Sequence, residues 1–210
     1  MNSQSKNKPM RRSVIVILAG MLVFSACTTS KKEDTESLKN KARMEGEKIA
    51  METQKVLGST LKSVIQSQGI PPALKYCNVH AYPLVDSLEN KYQVSIKRAS
   101  TATRNPADEA DEEERRIILD YMETLEAGKT PEVYVNVGSD EVHFAKPIIL
   151  NDQVCLNCHG DVGKEIKPEH YDIIKALYPG DDAAGHKIGD LRGIWSIRFD
   201  RSVLAGMENQ

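Results

Sequence analysis

The segment from Cys155 to His159 most narrowly constrains what this chain can fold into, because it reads Cys-Leu-Asn-Cys-His. On a helical turn, residues spaced i, i+3 and i+4 share one face, so both thiols and the imidazole point the same way. Cys-x-x-Cys-His is the pattern of c-type haem attachment, in which the thiols bond to the haem and the histidine binds iron. We therefore predict one covalently attached haem c, held by Cys155 and Cys158, with His159 as an axial iron ligand.

Two other interpretations of the same motif are a thioredoxin-like redox pair and half of a zinc site. The first would need a βαβ context, which the surrounding pattern does not indicate. The second would need another Cys-x-x-Cys pair, which the sequence lacks. Haem attachment is the interpretation that the motif favours.

The N-terminal region has the pattern of an export signal. Met1–Arg12 holds four basic residues and no acidic one, and Ser13–Ala26 is uncharged and mostly apolar. Such a stretch is typical of a signal peptide and is shorter than the ~20 residues that a membrane-spanning helix needs. Phe24–Cys27 resembles a bacterial lipobox, which predicts that Cys27 is lipidated and becomes the first mature residue. Secretion without a lipid is the alternative.

Charge and composition limit the kinds of partner that the protein is expected to bind. The chain has 210 residues, 40% of them hydrophobic, which is typical of a globular domain. Without residues 1–26, it keeps 24 basic and 30 acidic residues, a net charge of −6, which argues against a nucleic-acid partner. The predicted partners are the membrane, through the lipid, and an unknown redox or signalling protein. An Asp directly after the lipidated cysteine is associated with retention in the inner membrane, and Thr28 occupies that position here. We therefore expect an extracytoplasmic, outer-membrane protein that faces the periplasm.

The rest of the chain predicts an α+β fold. After a polar tether at residues 27–34, an apolar stripe predicts a long N-terminal helix over residues 35–68, and residues 69–210 form the second region. Within it we expect a helix over Ala73–Leu88 that breaks or kinks before Pro83. The acidic run Glu109–Glu114 opens a further helix, and we interpret it as capping and solvation of the helix start rather than as a metal site. That helix should bury a face that includes Met122, and alternating segments predict an antiparallel sheet.

The spacing of residues in the sequence does not by itself decide which residue is the second axial ligand of the iron. Cys77 is the thiol left after the anchor and the haem tethers, and it serves either as an iron ligand or as a buried free cysteine. His80 lies on the same helical face and is the main alternative. The remaining candidates are spread over the chain: His143, His170, His186, Met44, Met51 and Met122.

Four motifs between about Gly69 and Phe199 resemble the PAS-like c-type haem domain family. They are Ala-Leu-Lys-Tyr-Cys ending at Cys77, Arg-x-Ser-x-x-x-Arg-Asn-Pro over Arg98–Pro106, the haem motif, and Asp-Ala-Ala-Gly-His-x-x-Gly-Asp-x-x-Gly over Asp182–Gly193. The resemblance implies a PAS-like antiparallel sheet with flanking helices. It also implies a haem ligated by His159 and Cys77, and it makes Arg104 a candidate partner for a haem propionate, together with Arg98 and Arg192.

A thiolate ligand stabilises ferric iron, so such a centre is expected to have a low reduction potential. A ligand that is released on reduction favours a redox or gas sensing module. The alternative is an electron-transfer cytochrome that passes electrons to a membrane-associated partner. We expect no enzyme, because no nucleophile and base stand out in the sequence and a six-coordinate iron has no open position.

Overall fold

The structure, a computed structural model, describes Met1 and residues 15–207, and for residues 15–33 it describes the backbone alone. Residues 2–14 of the predicted signal peptide, the side chains of residues 15–26 and the side chain of Cys27, which is predicted to be lipidated, therefore lie outside the described residues. The chain divides into one unit of Met1–Ser37 and another of Leu38–Gln210. Among the described residues, no helix is both long and apolar enough to cross a membrane.

The first helix, α1, spans Ile15–Gln68 and starts well before residue 35, where the sequence predicted its beginning. The segment 27–34, predicted as a polar tether, is helical in its backbone. The physical reason lies in its composition: it holds no glycine or proline, and its lysines and glutamate are good helix formers. Gly69, with a positive φ of 86°, follows the helix end.

The remaining elements are helices and strands mixed along the chain. In chain order they are α2 (Ile70–Tyr92), β1 (Val94–Ala99), a 3-10 turn (Pro106–Asp108), α3 (Glu112–Glu126), β2 (Tyr134–Val137), β3 (Glu141–Ile149), α4 (Gln153–His159), α5 (Pro168–Leu177), β4 (Leu191–Asp200) and α6 (Arg201–Gly206). The sequence analysis did not predict α6, a short helix whose cap is Asp200.

The four strands form one antiparallel sheet in the order β1-β4-β3-β2. Its two central strands pair from Glu141 opposite Asp200 to Ile149 opposite Leu191, with an irregularity at Ile148. Helices cover both faces, so the predicted PAS-like α+β class, with its flanking helices, is confirmed.

Each face of the sheet has its own apolar core. Side chains alternate along a strand, so Trp195, Ile197 and Phe199 of β4 share one face while Ile194 points to the other. The first face packs against α1, α2 and α6, and its centre is the fully buried Phe144. The second face packs against α3, where the Tyr121 hydroxyl donates to the Ala145 carbonyl at 3.0 Å.

Of the break or kink predicted before Pro83, the break is wrong, because α2 continues through that residue. Proline has no N–H to donate to the carbonyl of Val79, four residues earlier. Both residues are exposed, so water can take the place of the missing donor. Two further prolines, Pro71 and Pro72, lie in the first turn of α2, where no intrahelical donor is needed.

The acidic start of α3 acts as predicted, as a cap. Asp111 accepts from the Glu114 backbone N–H at 2.8 Å, and the Glu114 carboxylate accepts from the Asp111 N–H at 2.9 Å. Glu114 is also buried and accepts from Lys97 at 2.8 Å. Met122, predicted on the buried face, is 42% exposed instead, because the stripe that meets the sheet is narrower than the sequence suggested.

A third apolar cluster lies away from the sheet, between α2 and α5. Its buried members are Leu74, Ile166 and Ile174, and Cys158 packs against them. The cluster therefore brings the first motif of the sequence analysis, on α2, to the Cys-x-x-Cys-His segment on α4.

The close approach of α1 to the sheet yields a matched test. A Cβ on Gly46 would lie 2.4 Å from the ring of Phe144, whereas a Cβ on Gly58, in the same helix, would meet no atom within 4 Å. We expect Gly46→Ala to lower the free energy of unfolding by about 1–3 kcal/mol through overpacking. Gly58→Ala should raise it by up to ~1 kcal/mol through helix propensity. Urea denaturation of both variants checks this, and equal gains in stability would contradict the packing of α1 on Phe144.

Candidate functional site

The Cys-x-x-Cys-His motif occupies most of the short helix α4. The helix is capped by Asp152, whose carboxylate accepts from the Val154 backbone N–H at 3.0 Å. The other oxygen of that carboxylate accepts from Lys62 at 2.7 Å, which ties the end of α1 to the start of α4. Cys155, Cys158 and His159 are therefore spaced i, i+3 and i+4 on a helix, as a shared face requires.

The two thiols of α4 are free and half-buried. Burial raises the pKa of Cys158 to about 11, against a smaller lowering by the charge of Arg104. Burial and the charge of Asp152 both raise the pKa of Cys155. Both are therefore protonated thiols at neutral pH. Neither residue is fully enclosed by the protein.

The ring of His159 is held in one orientation. Its Nδ1 lies 2.9 Å from the Ala183 carbonyl oxygen, which can only accept, so Nδ1 carries the proton and donates. Nε2 is then the unprotonated nitrogen, the form that binds a metal. Burial, followed by the charges of Arg192 and Arg104, holds the pKa of His159 well below its ordinary value, so the ring is neutral.

A strap from Asp181 to His186 fixes the end of α4. The Gly185 N–H donates to the Gly160 carbonyl, and the His186 N–H donates to the His159 carbonyl, both at 2.8 Å. This accounts for one position of the Asp182–Gly193 motif, since Gly185 has a φ of 86°, which favours glycine. The sequence did not point to Ala183, because its contribution comes from a backbone carbonyl.

Cys77 lies on α2, close to the motif. It is half-buried, and its thiol interacts electrostatically with Cys158, Arg98 and Arg104. Burial raises the pKa of Cys77, while the two arginines act in the opposite direction. The structure thus brings together Cys77 and Cys158, which are far apart in the sequence.

His80, the alternative to Cys77, is exposed and stacks on Tyr76, with ring centroids 4.4 Å apart. His143 lies on the face of the sheet that α3 covers, where its Nε2 is 2.8 Å from the Ser196 hydroxyl. His186 lies beside His159, with ring centroids 6.4 Å apart. Met44, Met51 and Met122 are 58%, 63% and 42% exposed, and His170 lies at the start of α5.

The three candidate arginines are engaged with the protein. Arg104 donates from Nε to Asp181 at 2.7 Å and from Nη2 to the Cys158 carbonyl at 2.6 Å. Arg98 forms an ion pair with Asp108 at 3.7 Å. Arg192 lies with its Nε 3.3 Å from Nδ1 of His159. Asp181, which the sequence analysis missed, has a fully buried side chain and anchors Arg104 against α4.

Among the described residues, no cluster of three or more His, Cys, Asp or Glu side chains could hold a metal ion. The fold and the site define an α+β domain that carries a Cys-x-x-Cys-His helix at an apolar cluster, with a third cysteine close by. The family model described as Tll0287-like matches residues 31–200. The chain therefore belongs to the Tll0287-like family, which confirms the family resemblance found in the four motifs.

One solved structure is similar to this chain, described as the crystal structure of the cyanobacterial heme-protein Tll0287. It is 19% identical, the match covers 57% of this chain and 70% of that one, and the TM-score is 0.47. No curated protein has a sequence that matches significantly.

The buried pair of Asp181 and Arg104 can be tested directly. Asp181→Asn leaves the Arg104 guanidinium, which is only 14% exposed, without its counter-charge. We expect the free energy of unfolding to fall by about 3–5 kcal/mol, as when one partner of a buried pair is removed. The matched control is the next residue, Asp182, which is exposed. Asp182→Asn should change the free energy of unfolding by less than about 0.5 kcal/mol. Equal losses in the two variants, measured by urea denaturation, would contradict the role of the pair.

Proposed function

We propose that the protein is an extracytoplasmic lipoprotein that binds one c-type haem and acts as a redox or gas sensing module. Cys155 and Cys158 would hold the haem covalently, and His159 and Cys77 would ligate its iron. The observation that carries the proposal is the orientation of His159, whose Nδ1 donates to Ala183 and whose Nε2 is left free as a ligand. Membership of a family that takes its name from a heme-protein supports haem binding.

The residues of the site fit such a group. Covalent attachment needs two accessible thiols on one helical face, and Cys155 and Cys158 are half-buried and free. A haem also needs apolar surroundings, which the cluster around Leu74 and Ile174 supplies. When bound, the haem supplies an iron that accepts and donates one electron and can take up small gaseous ligands.

Cys77 favours a sensor over a simple carrier. A thiolate ligand stabilises the ferric state, so the centre would have a low potential and Cys77 would be released more easily on reduction. Cys77 belongs to α2, whose far end contacts α1: Lys91 donates to Glu52 at 2.7 Å, and the Tyr92 hydroxyl donates to the same carboxylate. A shift of α2 would therefore be transmitted to α1, the helix that contains the predicted lipid anchor Cys27 in its sequence.

Arg98 and Arg104 support Cys77 as the ligand. A thiolate is costly to bury, and both arginines place positive charge near this sulfur. His80 has no comparable setting, because it is exposed and stacked on Tyr76. Cys77 is therefore the second ligand in this proposal. The polar donors of Arg104 already bond to Asp181 and Cys158, so a propionate would share Arg104 with them.

Two substitutions on the same helix test the ligand assignment. The oxidised protein should show a low-spin, thiolate-ligated absorption spectrum. Cys77→Ala should abolish it, because the sulfur is removed, while His80→Ala should leave it unchanged. The reverse pattern would assign the ligand to His80 and contradict the proposal.

Titration with CO and NO then tests the function. Capture of either gas by the reduced protein, with loss of thiolate ligation, supports a sensor. Rapid reversible electron transfer without gas binding would indicate the alternative, an electron-transfer cytochrome that serves a membrane-associated partner.

A further inference from the structure

Arg192 holds a guanidinium group beside the axial histidine. Its Nε lies 3.3 Å from Nδ1 of His159, the nitrogen that donates to Ala183. Its Nη1 donates to the Ser100 hydroxyl at 2.7 Å and to the Ala102 carbonyl at 2.9 Å. These two acceptors fix the group in place. Since the Nδ1 proton already points at the Ala183 carbonyl, Arg192 acts on the ring mainly as a neighbouring positive charge.

That charge persists at neutral pH. Burial, together with the repulsion of Arg104 and Arg98, lowers the pKa of Arg192 to about 10. A group with this pKa is still protonated at pH 7. Asp108 and Asp181 lie in the same surroundings and offset part of the positive charge. Because Arg192 is half-buried, dissolved salt screens its charge less than it screens a fully exposed arginine.

We propose that Arg192 is a positioning residue that sets the reduction potential of the haem centre through the charge it places beside His159. The inference rests on the proposed function, since it requires an iron bound at His159. One-electron reduction, with the electron taken from an electrode, lowers the positive charge of the centre by one. A nearby cation favours the state with less positive charge, so Arg192 raises the potential.

The sign of the charge beside the ring decides the direction of the effect. A carboxylate at Nδ1 would place negative charge there and stabilise ferric iron. The guanidinium of Arg192 places positive charge there instead and has the opposite effect. Arg192 thus counteracts the lowering of the potential that is expected from Cys77.

The test uses the haem-loaded full chain and protein-film voltammetry. Arg192→Gln and Arg192→Met remove the charge, and Arg192→Lys keeps it. We expect both neutral variants to have a lower potential, with the reduced-to-oxidised ratio at a fixed electrode potential falling on the order of tenfold, about 59 mV for one electron. Arg192→Lys should recover most of the shift. The matched control is Arg198→Gln, which removes a charge from the same strand, where it pairs with Glu141 and Asp111; its potential should not change.

The outcomes separate this inference from the proposed function. A wild-type chain that takes up no haem contradicts the proposed function itself. Haem-loaded neutral variants with an unchanged potential overturn the role of Arg192. So does a shift that is equal in the lysine and glutamine variants, because that result assigns the effect to the lost bonds with Ser100 and Ala102. If neither neutral variant folds, Arg192 is a structural residue and the inference is also overturned.

Discussion

The bond from the His159 ring to the Ala183 carbonyl is the interaction on which the candidate site depends. A histidine at the end of a seven-residue helix is free to rotate unless something outside the helix holds it. Here the 2.9 Å bond to Ala183 selects the tautomer, and two backbone bonds from Gly185 and His186 hold the helix end in place. The ring therefore presents one defined nitrogen, as a metal ligand requires.

The rest of the fold serves to bring distant segments to this point. The sheet and its two apolar faces fix β4, from which Arg192 reaches the histidine. The cluster between α2 and α5 carries Cys77 to Cys158, and the buried pair of Arg104 and Asp181 joins α4 to the strap. At the other end of α4, Lys62 of α1 bonds to the capping Asp152. The site is thus connected to α1, to the cluster between α2 and α5, and to β4.

Local sequence signals predicted the structural features that depend on residues close together in the chain. The α+β class, the capping of α3 by Asp111 and the helical setting of the motif follow from short spacings. Contacts between residues that are distant in the chain could not be predicted from local signals. The burial of Asp181 is an example, because it depends on a partner, Arg104, that lies on another loop. Pro83 misled the prediction because a proline ordinarily breaks a helix, and only its exposed position in the folded chain shows why this helix tolerates it.

Covalent haem at α4 is the central claim, and a pyridine haemochrome spectrum of the denatured, purified chain tests it most directly. The chain must be exported in a host that attaches c-type haem, because attachment takes place outside the cytoplasm. The account predicts a c-type spectrum with one haem per chain that survives acid–acetone extraction and is lost when Cys155 and Cys158 are both changed to serine. A chain without haem, or a haem that the extraction removes from the unaltered protein, would contradict it.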